Sequence, residues 1–297
     1  MNLPSSAILN QWRLTSARRL SETKPQWCVT RAGKPLVLRR LPADYPDIEY
    51  ELSLLRTLKS RGWPVPHLLD QSDEEGHWLL FEWLPGEALV AEDAQAQRSR
   101  GRQLAELHAT MAELGPTQQR AGFQRIAKIV ADSRLDSLLP KLAERDPDTS
   151  RILQWHLEQT RQAFTEHRLE SIPQHVIHSD FARWNLLFDD NRLSGIIDFD
   201  GAHHNFRVAD FAMSWRGAYD NVIEGYETVT RLSDLELYLL APTFWGWLFM
   251  GVADAIDNIV EGDSSISLQW QVKHLVRRSP RFGPWASPYE NQPSRGE

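Results

Sequence analysis

The chain has 297 residues, 41% of them hydrophobic and 25% charged, with one cysteine, twelve tryptophans and a formal net charge of −7. This composition excludes a disordered chain and gives a core-forming protein of one large or two smaller domains. The lone Cys28 excludes an intramolecular disulfide and cysteine-built metal centres and fits a reducing cytoplasm, while the acidic balance argues against a nucleic-acid partner.

Residues 1–15 lack the basic start and apolar run of a signal peptide. Residues 26–30 and 35–39 predict two strands joined across the turn Ala32-Gly33-Lys34. Residues 44–60 place Ile48, Leu52, Leu55 and Leu58 at helical spacing, and Arg61-Gly62 stops that helix. Pro64-Val65-Pro66 is a rigid extended stretch. A hairpin follows, with 67–69, a turn at 72–76, and 78–81.

After Leu84-Pro85-Gly86 the texture becomes helical. Residues 92–114 carry Leu104, Leu107, His108 and Met111 on one stripe, and 121–169 continues in kind. A compact β segment interrupts at 175–177, 186–188 and 193–197, with a turn at 189–192. Helices resume over 208–276, and 278–297, rich in Pro, Ser and Gly, predicts a loosely ordered tail. Residues 237–253 run without a charge, but Pro242, Gly246 and Gly251 interrupt them and acids flank them, so they read as a buried helix and no membrane span is expected. The plan is α+β and bilobal: a small β-rich lobe over 1–84, a short connector near 82–84, and a large mainly helical lobe over 85–277. Ligands prefer the cleft of such a plan.

The chemistry concentrates in 177–212. Asp180 and Asn185 bracket a loop between strand-like segments, and Asp198 ends the apolar run a hairpin later. Oxygen-bearing side chains converging from adjacent strand ends suit a hard cation such as Mg²⁺, with water and phosphate completing its shell. Asp180 is then left to accept a proton from a hydroxyl. His178-x-Asp180-x-x-x-x-Asn185 followed by Asp198-Phe199 has the spacing of a kinase catalytic loop and its metal-binding Asp-Phe.

These residues resemble the aminoglycoside phosphotransferase and choline kinase family, small-molecule relatives of the protein kinases. That family carries His-Gly-Asp-x-x-x-x-Asn, then Ile-Asp-Phe or Ile-Asp-Trp, then Asp-Leu-Ala. Here the chain reads His178-Ser179-Asp180, Asn185, Ile197-Asp198-Phe199 and Asp210-Phe211-Ala212. Gly62-Trp63-Pro64-Val65-Pro66, Phe81-Glu82-Trp83-Leu84-Pro85-Gly86 and Leu104-Ala105-Glu106-Leu107-His108 extend the likeness over roughly 15–250.

The resemblance implies a protein-kinase-like fold and an ATP- and Mg²⁺-dependent transfer to a small-molecule hydroxyl, with another nucleoside triphosphate as an open option. It makes Asp180 the catalytic base, Asn185 and Asp198 the metal ligands, and His178 and Asp210 supports of the loop. In the small lobe Arg39 stands where the family has Lys or Arg, with Glu51 as its partner; Arg40 and Glu49 compete, since a strand turns only one of two neighbours inward. Glu82 to Leu84 would offer backbone groups to the base, and Ser21 and Thr23 would meet the phosphates in a turn that has no glycine. Ser179 stands where the family has Gly.

For the acceptor, residues 217–272 hold nine acids against Arg231 alone, which suits either a cleft wall for a cationic molecule or a solvated surface. Trp184, Trp215, Trp245 and Trp247 could meet an ammonium group. Asp200 and Arg183 are further acceptor candidates, Arg183 for a transferred phosphate or a carboxylate. The run from Arg192 to Phe199 is similar to that of bacterial homoserine kinases of this fold. The expected function is therefore a small-molecule kinase for an amino sugar, amino alcohol or hydroxy amino acid. A homoserine-type kinase is its specific case; a nucleotide-binding pseudokinase and a protein kinase are the alternatives.

Overall fold

In the computed structural model the described residues are 3–114, 119–166, 169–190, 192–214, 220–277, 285 and 287–289. In chain order the elements are α1 (Ser6–Gln11), β1 (Ala17–Arg19), β2 (Gln26–Arg31), β3 (Lys34–Leu41), α2 (Ile48–Ser60), β4 (Leu68–Ser72), β5 (His77–Glu82), β6 (Glu87–Ala88), α3 (Ala94–Leu114), α4 (Ile126–Val130), α5 (Arg134–Ala143), α6 (Pro147–Glu166), β7 (Gln174–Ile177), β8 (Leu186–Asp189), β9 (Arg192–Ile196), β10 (His203–Phe206), α7 (Asp210–Ser214), α8 (Asp220–Glu227), α9 (Asp234–Tyr238), α10 (Leu240–Leu248), α11 (Val252–Glu261) and α12 (Gln269–Leu275). They form two compact units. The first comprises Met1–Ala91, Arg120–Gly122 and Ala182–Asp200; the second comprises Glu92–Gln119, Phe123–Phe181 and Gly201–Glu297.

The first unit is built on an antiparallel sheet of order β1-β2-β3-β5-β4. Strand alternation sends Trp27 and Val29 of β2, and Leu36 and Leu38 of β3, to one buried face. There they join Trp78 and Leu80, and α1 with the residues just after it closes the cluster through Ile8, Trp12 and Leu14. The sequence pattern did not announce α1. It is six residues long, too short to hold by propensity. Burying Ile8, Trp12 and Leu14, at roughly 1.5–3 kcal/mol for each large apolar side chain, supplies what propensity lacks. The Ser5 side chain caps it by accepting from the Ile8 amide, and the Trp12 indole donates to Asp70 at 2.9 Å.

The hairpin β8–β9 and the short β6 form a second sheet in this unit. The Ile196 amide ties it to the rest of the unit by donating to the Pro64 carbonyl at 2.8 Å, and the Ile197 amide extends the hairpin ladder to the Asn185 carbonyl at 2.9 Å. Gly86 makes this possible, because a Cβ there would stand 2.4 Å from Ser194 Oγ and 2.5 Å from the Phe188 carbonyl oxygen.

In the second unit α3 and α8 touch backbone to backbone. A Cβ on Gly101 would lie 1.9 Å from the Val222 carbonyl oxygen, and one on Gly225 would lie 1.9 Å from that of Arg98. The uncharged stretch 237–253 contains α10, buried along most of its length, and no helix among the described residues is long and apolar enough to cross a membrane. Trp285, inside the segment expected to be loose, donates its indole N–H to the Tyr238 carbonyl at 2.7 Å and packs against Trp245.

Candidate functional site

A cavity of 520 Å³ lies within the first unit. Its wall includes Ser21 and Lys24 from the β1–β2 turn, Arg39 from β3, Glu51 from α2, Glu82 to Leu84, and Trp184, Asn185 and Asp198 from the second hairpin and its flanks. β3 presents Leu36 and Leu38 to the core, so alternation turns Val37 and Arg39 to this cavity. Arg40 goes the other way, donating to the Glu75 carbonyl at 3.1 Å with its guanidinium over Trp78. Glu49 is exposed and pairs with Arg56.

Arg39 is fixed from two sides. It donates to Glu51 Oε1 at 2.7 Å and to the Tyr45 hydroxyl at 2.6 Å, and Tyr45 in turn donates to Glu51 Oε2. Burial works against the guanidinium charge; Glu51 and Tyr45 outweigh it and hold Arg39 above its ordinary value. Burial and the neighbouring Glu51 charge push the Tyr45 phenol up as well. Arg120, completely buried, donates to the Pro46, Phe199 and Asp200 carbonyls and reaches Glu51 Oε2 at 3.5 Å. Glu51 thus joins the cation of β3 to the backbone just after Asp198. Sequence reasoning missed Tyr45 and Arg120; neither lies in a motif, and Arg120 reaches this unit from far along the chain.

Asp198 adopts φ +69°, a left-handed conformation rare outside glycine. Burial and the Asp200 charge push its carboxyl up to about 6, against the pull of Lys24. Lys24 Nζ lies 2.6 Å and 2.7 Å from the two oxygens of Asp198 and 2.7 Å from Asp200 Oδ2. Burial also raises Asp200, but the Lys24 ammonium outweighs it and holds this carboxyl below its usual range. Lys24 was not singled out from sequence, although it directly follows Ser21 and Thr23 in the same turn. Ser21 Oγ accepts the Thr23 and Lys24 amides at 3.3 and 3.0 Å, which shapes that turn; Thr23 itself is exposed and does not line the cavity.

Asp180 belongs to the second unit, in the loop after β7. Two buried groups hold that loop on either side of it. Asp210 accepts the His178 amide at 2.8 Å and the Ser179 amide at 2.5 Å. Arg100, paired with Glu92 at 2.8 Å, donates to the Phe181 carbonyl at 3.1 Å. Ser179 sits at φ +74°, which explains why a glycine would suit this position. Behind Asp210, His108 bonds its Oδ2 at 2.9 Å and the Tyr226 hydroxyl at 2.9 Å. Burial, with the Arg207 and His178 charges, lowers the His108 pKa to about 3, so its imidazole is neutral. It then donates from Nε2 to Asp210 and accepts from Tyr226 at Nδ1.

The other candidates fall as follows. Trp184 lines the cavity of the first unit and is partly exposed. Arg183 donates to the Leu89 carbonyl at 2.7 Å and to that of Val90. The Glu82 amide is donated to the His67 carbonyl at 2.9 Å, and its carboxylate lies 3.4 Å from Lys59. Trp215 lies outside the described residues. Trp245 is fully buried against Trp155 and His156 and serves packing, which corrects its reading as an aromatic for an ammonium group. Three acids of the 217–272 stretch pair with arginines from outside it: Glu224 with Arg98, Glu236 with Arg207 and Asp254 with Arg134.

A family model described as the phosphotransferase enzyme family matches residues 18–234. Homoserine kinase of Sinorhizobium fredii is 28% identical over 235 residues, covering 71% of this chain and 68% of the relative. Homoserine kinase of Xanthobacter autotrophicus is 27% identical over 230 residues, covering 70% and 68%. The structure of a microcompartment-associated aminopropanol kinase superposes with a TM-score of 0.63 at 19% identity, covering 91% of this chain and 92% of that one. An amicoumacin kinase in complex with AMP-PNP, Ca²⁺ and Ami gives a TM-score of 0.61 at 14% identity, with 87% of each chain covered. At these identities the two structures speak for the fold.

Proposed function

Because this chain belongs to the phosphotransferase enzyme family, we propose that it moves the terminal phosphoryl group of ATP to a hydroxyl of a small amine-bearing molecule, a hydroxy amino acid of the homoserine type being the specific case. Phosphotransfer to a small molecule is the activity its family and relatives share. The observation that carries the nucleotide part is the cavity whose wall combines the Arg39–Glu51 pair with Asn185 and Asp198. The homoserine kinases, matched over about two thirds of their length, support the acceptor class.

The donor set fits a divalent metal of the Mg²⁺ kind. Asp198 and Asn185 offer hard oxygens, and the Lys24 ammonium between Asp198 and Asp200 marks a place where these carboxylates hold positive charge. Among the described residues no group of three or more His, Cys, Asp or Glu could hold a metal alone; Mg²⁺ keeps waters and binds phosphate oxygens alongside few carboxylates. Such a metal, when bound, neutralises charge on the transferring phosphoryl group.

The chain's own residues do the rest. Arg39, aimed by Glu51 and Tyr45, contacts the inner phosphates. The backbone of Glu82 to Leu84 receives the base. Asp180, in a loop pinned by Asp210 and Arg100, orients the acceptor hydroxyl and takes its proton as that oxygen bonds to phosphorus and the terminal P–O bond of ATP breaks. A cytoplasmic location, with ATP at hand and Cys28 kept reduced, belongs to the same reading.

The test is ATP consumption with a panel of homoserine, amino alcohols and aminoglycosides. Turnover with at least one acceptor is expected, and Asp180→Ala should lower it about 10²–10⁴-fold while nucleotide binding persists. Full turnover in Asp180→Ala would end the assignment of the base. Wild-type protein that bound no nucleotide with Mg²⁺ by calorimetry would end the enzyme reading.

A further inference from the structure

We propose that Lys24 is both the cation that fills the metal seat in the nucleotide-free protein and, once displaced from it, a residue that binds the triphosphate. This rests on the reading of the cavity as a metal–nucleotide site. Lys24 Nζ makes three contacts of 2.6–2.7 Å, to both oxygens of Asp198 and to Asp200 Oδ2. An ammonium has three N–H donors, so all three are committed to these oxygens. A divalent ion binds carboxylate oxygens through the same lone pairs at about 2.0–2.6 Å. The two cations therefore compete for one seat, and metal entry turns Lys24 out.

The turn determines where it goes. Arg19 donates to the Ser21 and Glu22 carbonyls, and Ser21 Oγ accepts the Lys24 amide at 3.0 Å. The Lys24 backbone is thus anchored, and its flexible stem can re-aim only within reach of the turn. Lys24 lines the cavity and its side chain is 39% exposed, so it can leave the carboxylates without unpacking a core. Among the described lining residues the cations are Lys24 and Arg39. Arg39 is already matched by Glu51 at 2.7 Å. Metal entry cancels the charge of Asp198 and Asp200, and Lys24 becomes the cation with no acid opposite it. A triphosphate in the same cavity supplies that anion.

The inference gives opposite signs for two ligands, which a purely structural role would not. Lys24→Met and Lys24→Gln, checked by circular dichroism and thermal unfolding, should bind Mn²⁺ at least tenfold more tightly than wild type in the absence of nucleotide, read by calorimetry or by loss of the free Mn²⁺ resonance signal. Both should bind AMP-PNP at saturating Mn²⁺ at least tenfold more weakly. Lys24→Arg, which keeps the charge, should stay near wild type for the metal. Unchanged or weaker Mn²⁺ binding in the Met and Gln variants would overturn the placeholder role, and unchanged AMP-PNP binding would overturn the phosphate role. If the wild-type protein itself bound no AMP-PNP with Mn²⁺, the nucleotide-site reading would fall, and this inference with it.

Discussion

Replacing Glu51 with alanine removes the carboxylate shared by a phenol and two guanidiniums, Arg120 fully buried and Arg39 mostly so. Glu51 is 2% exposed, Arg39 12% and Arg120 0%. Breaking a buried pair by deleting one partner costs about 3–5 kcal/mol, because the charge left behind is neither solvated nor matched. Arg120 would keep its carbonyl acceptors on Pro46, Phe199 and Asp200, and Arg39 would keep Tyr45. Those remaining bonds place Glu51→Ala at the lower end, about 3 kcal/mol. Glu51→Gln retains one acceptor without the charge and should lose about 2 kcal/mol. Urea unfolding gives both values, fitted for two transitions if the two units unfold separately. The double variant Arg39→Met with Glu51→Leu separates charge from packing: exchanging a buried ion pair for apolar groups of similar volume is often neutral, so it should recover stability relative to Glu51→Ala. If Glu51→Ala stayed within about 0.5 kcal/mol of wild type, the argument from unmatched charge would be wrong. If the double variant recovered nothing, the loss would lie with Arg120, which keeps its unmatched charge in both variants, or with a cavity, and not with Arg39.

Ser179→Gly should raise stability by about 1 kcal/mol, since Ser179 holds φ +74° at a conformational cost that glycine escapes; a lower melting temperature would refute the strain. Gly101→Ala should cost about 3 kcal/mol or more, because its Cβ would lie 1.9 Å from the Val222 carbonyl oxygen; an unaltered urea midpoint would deny that α3 and α8 touch there. Acid should destabilise the fold through its buried histidines. Burial lowers His108 to about 3 and both His156 and His175 to about 4. Each contributes stability that is whole above its unfolded value, near 6.5, and is lost as pH falls, because the unfolded chain then binds the proton the folded one refuses. The loss is up to about 1.4 kcal/mol per pH unit for each histidine, offset at the acid end by Asp210, which burial pushes up. Unfolding free energies between pH 7 and 5 should fall, and a flat profile would contradict this.

The β-rich start was legible because its strands alternate with period two and its turns carry Gly and Pro. The same alternation separated Arg39 from Arg40: neighbours on one strand face opposite ways, and only Arg39 lines the cavity. The loop 178–185 and Asp198 were legible as spacing, but their support was not. Asp210 could be suspected from its motif, whereas Arg100 and Arg120 act through contacts that span tens of residues, and no local pattern records such a distance; Tyr45 bonds only six residues either way, to Arg39 and Glu51, but belongs to no motif. Trp245 shows the limit for composition. Trp245 and the cavity-lining Trp184 look alike in composition, and their burial and place in the fold distinguish them. Lys24 was hidden for another reason: its register in the turn depends on Ser21 Oγ and Arg19, which set where a long side chain can reach.

The acidic stretch bears on the acceptor differently once its partners are known. A wall that attracts a cation needs acids whose charge is not already answered. Glu224, Glu236 and Asp254 are answered by Arg98, Arg207 and Arg134, and Glu236 also closes the capping box of α9 with Ser233. Asp257, Glu261 and Asp263 are exposed on α11 and just beyond it, where salt screens a charge within about 8 Å at physiological strength. The regional excess is therefore partly structural and partly screened, and it carries little argument for a cationic acceptor. That case rests on the homoserine kinases and the family match, and the acceptor panel is the measurement that can move it.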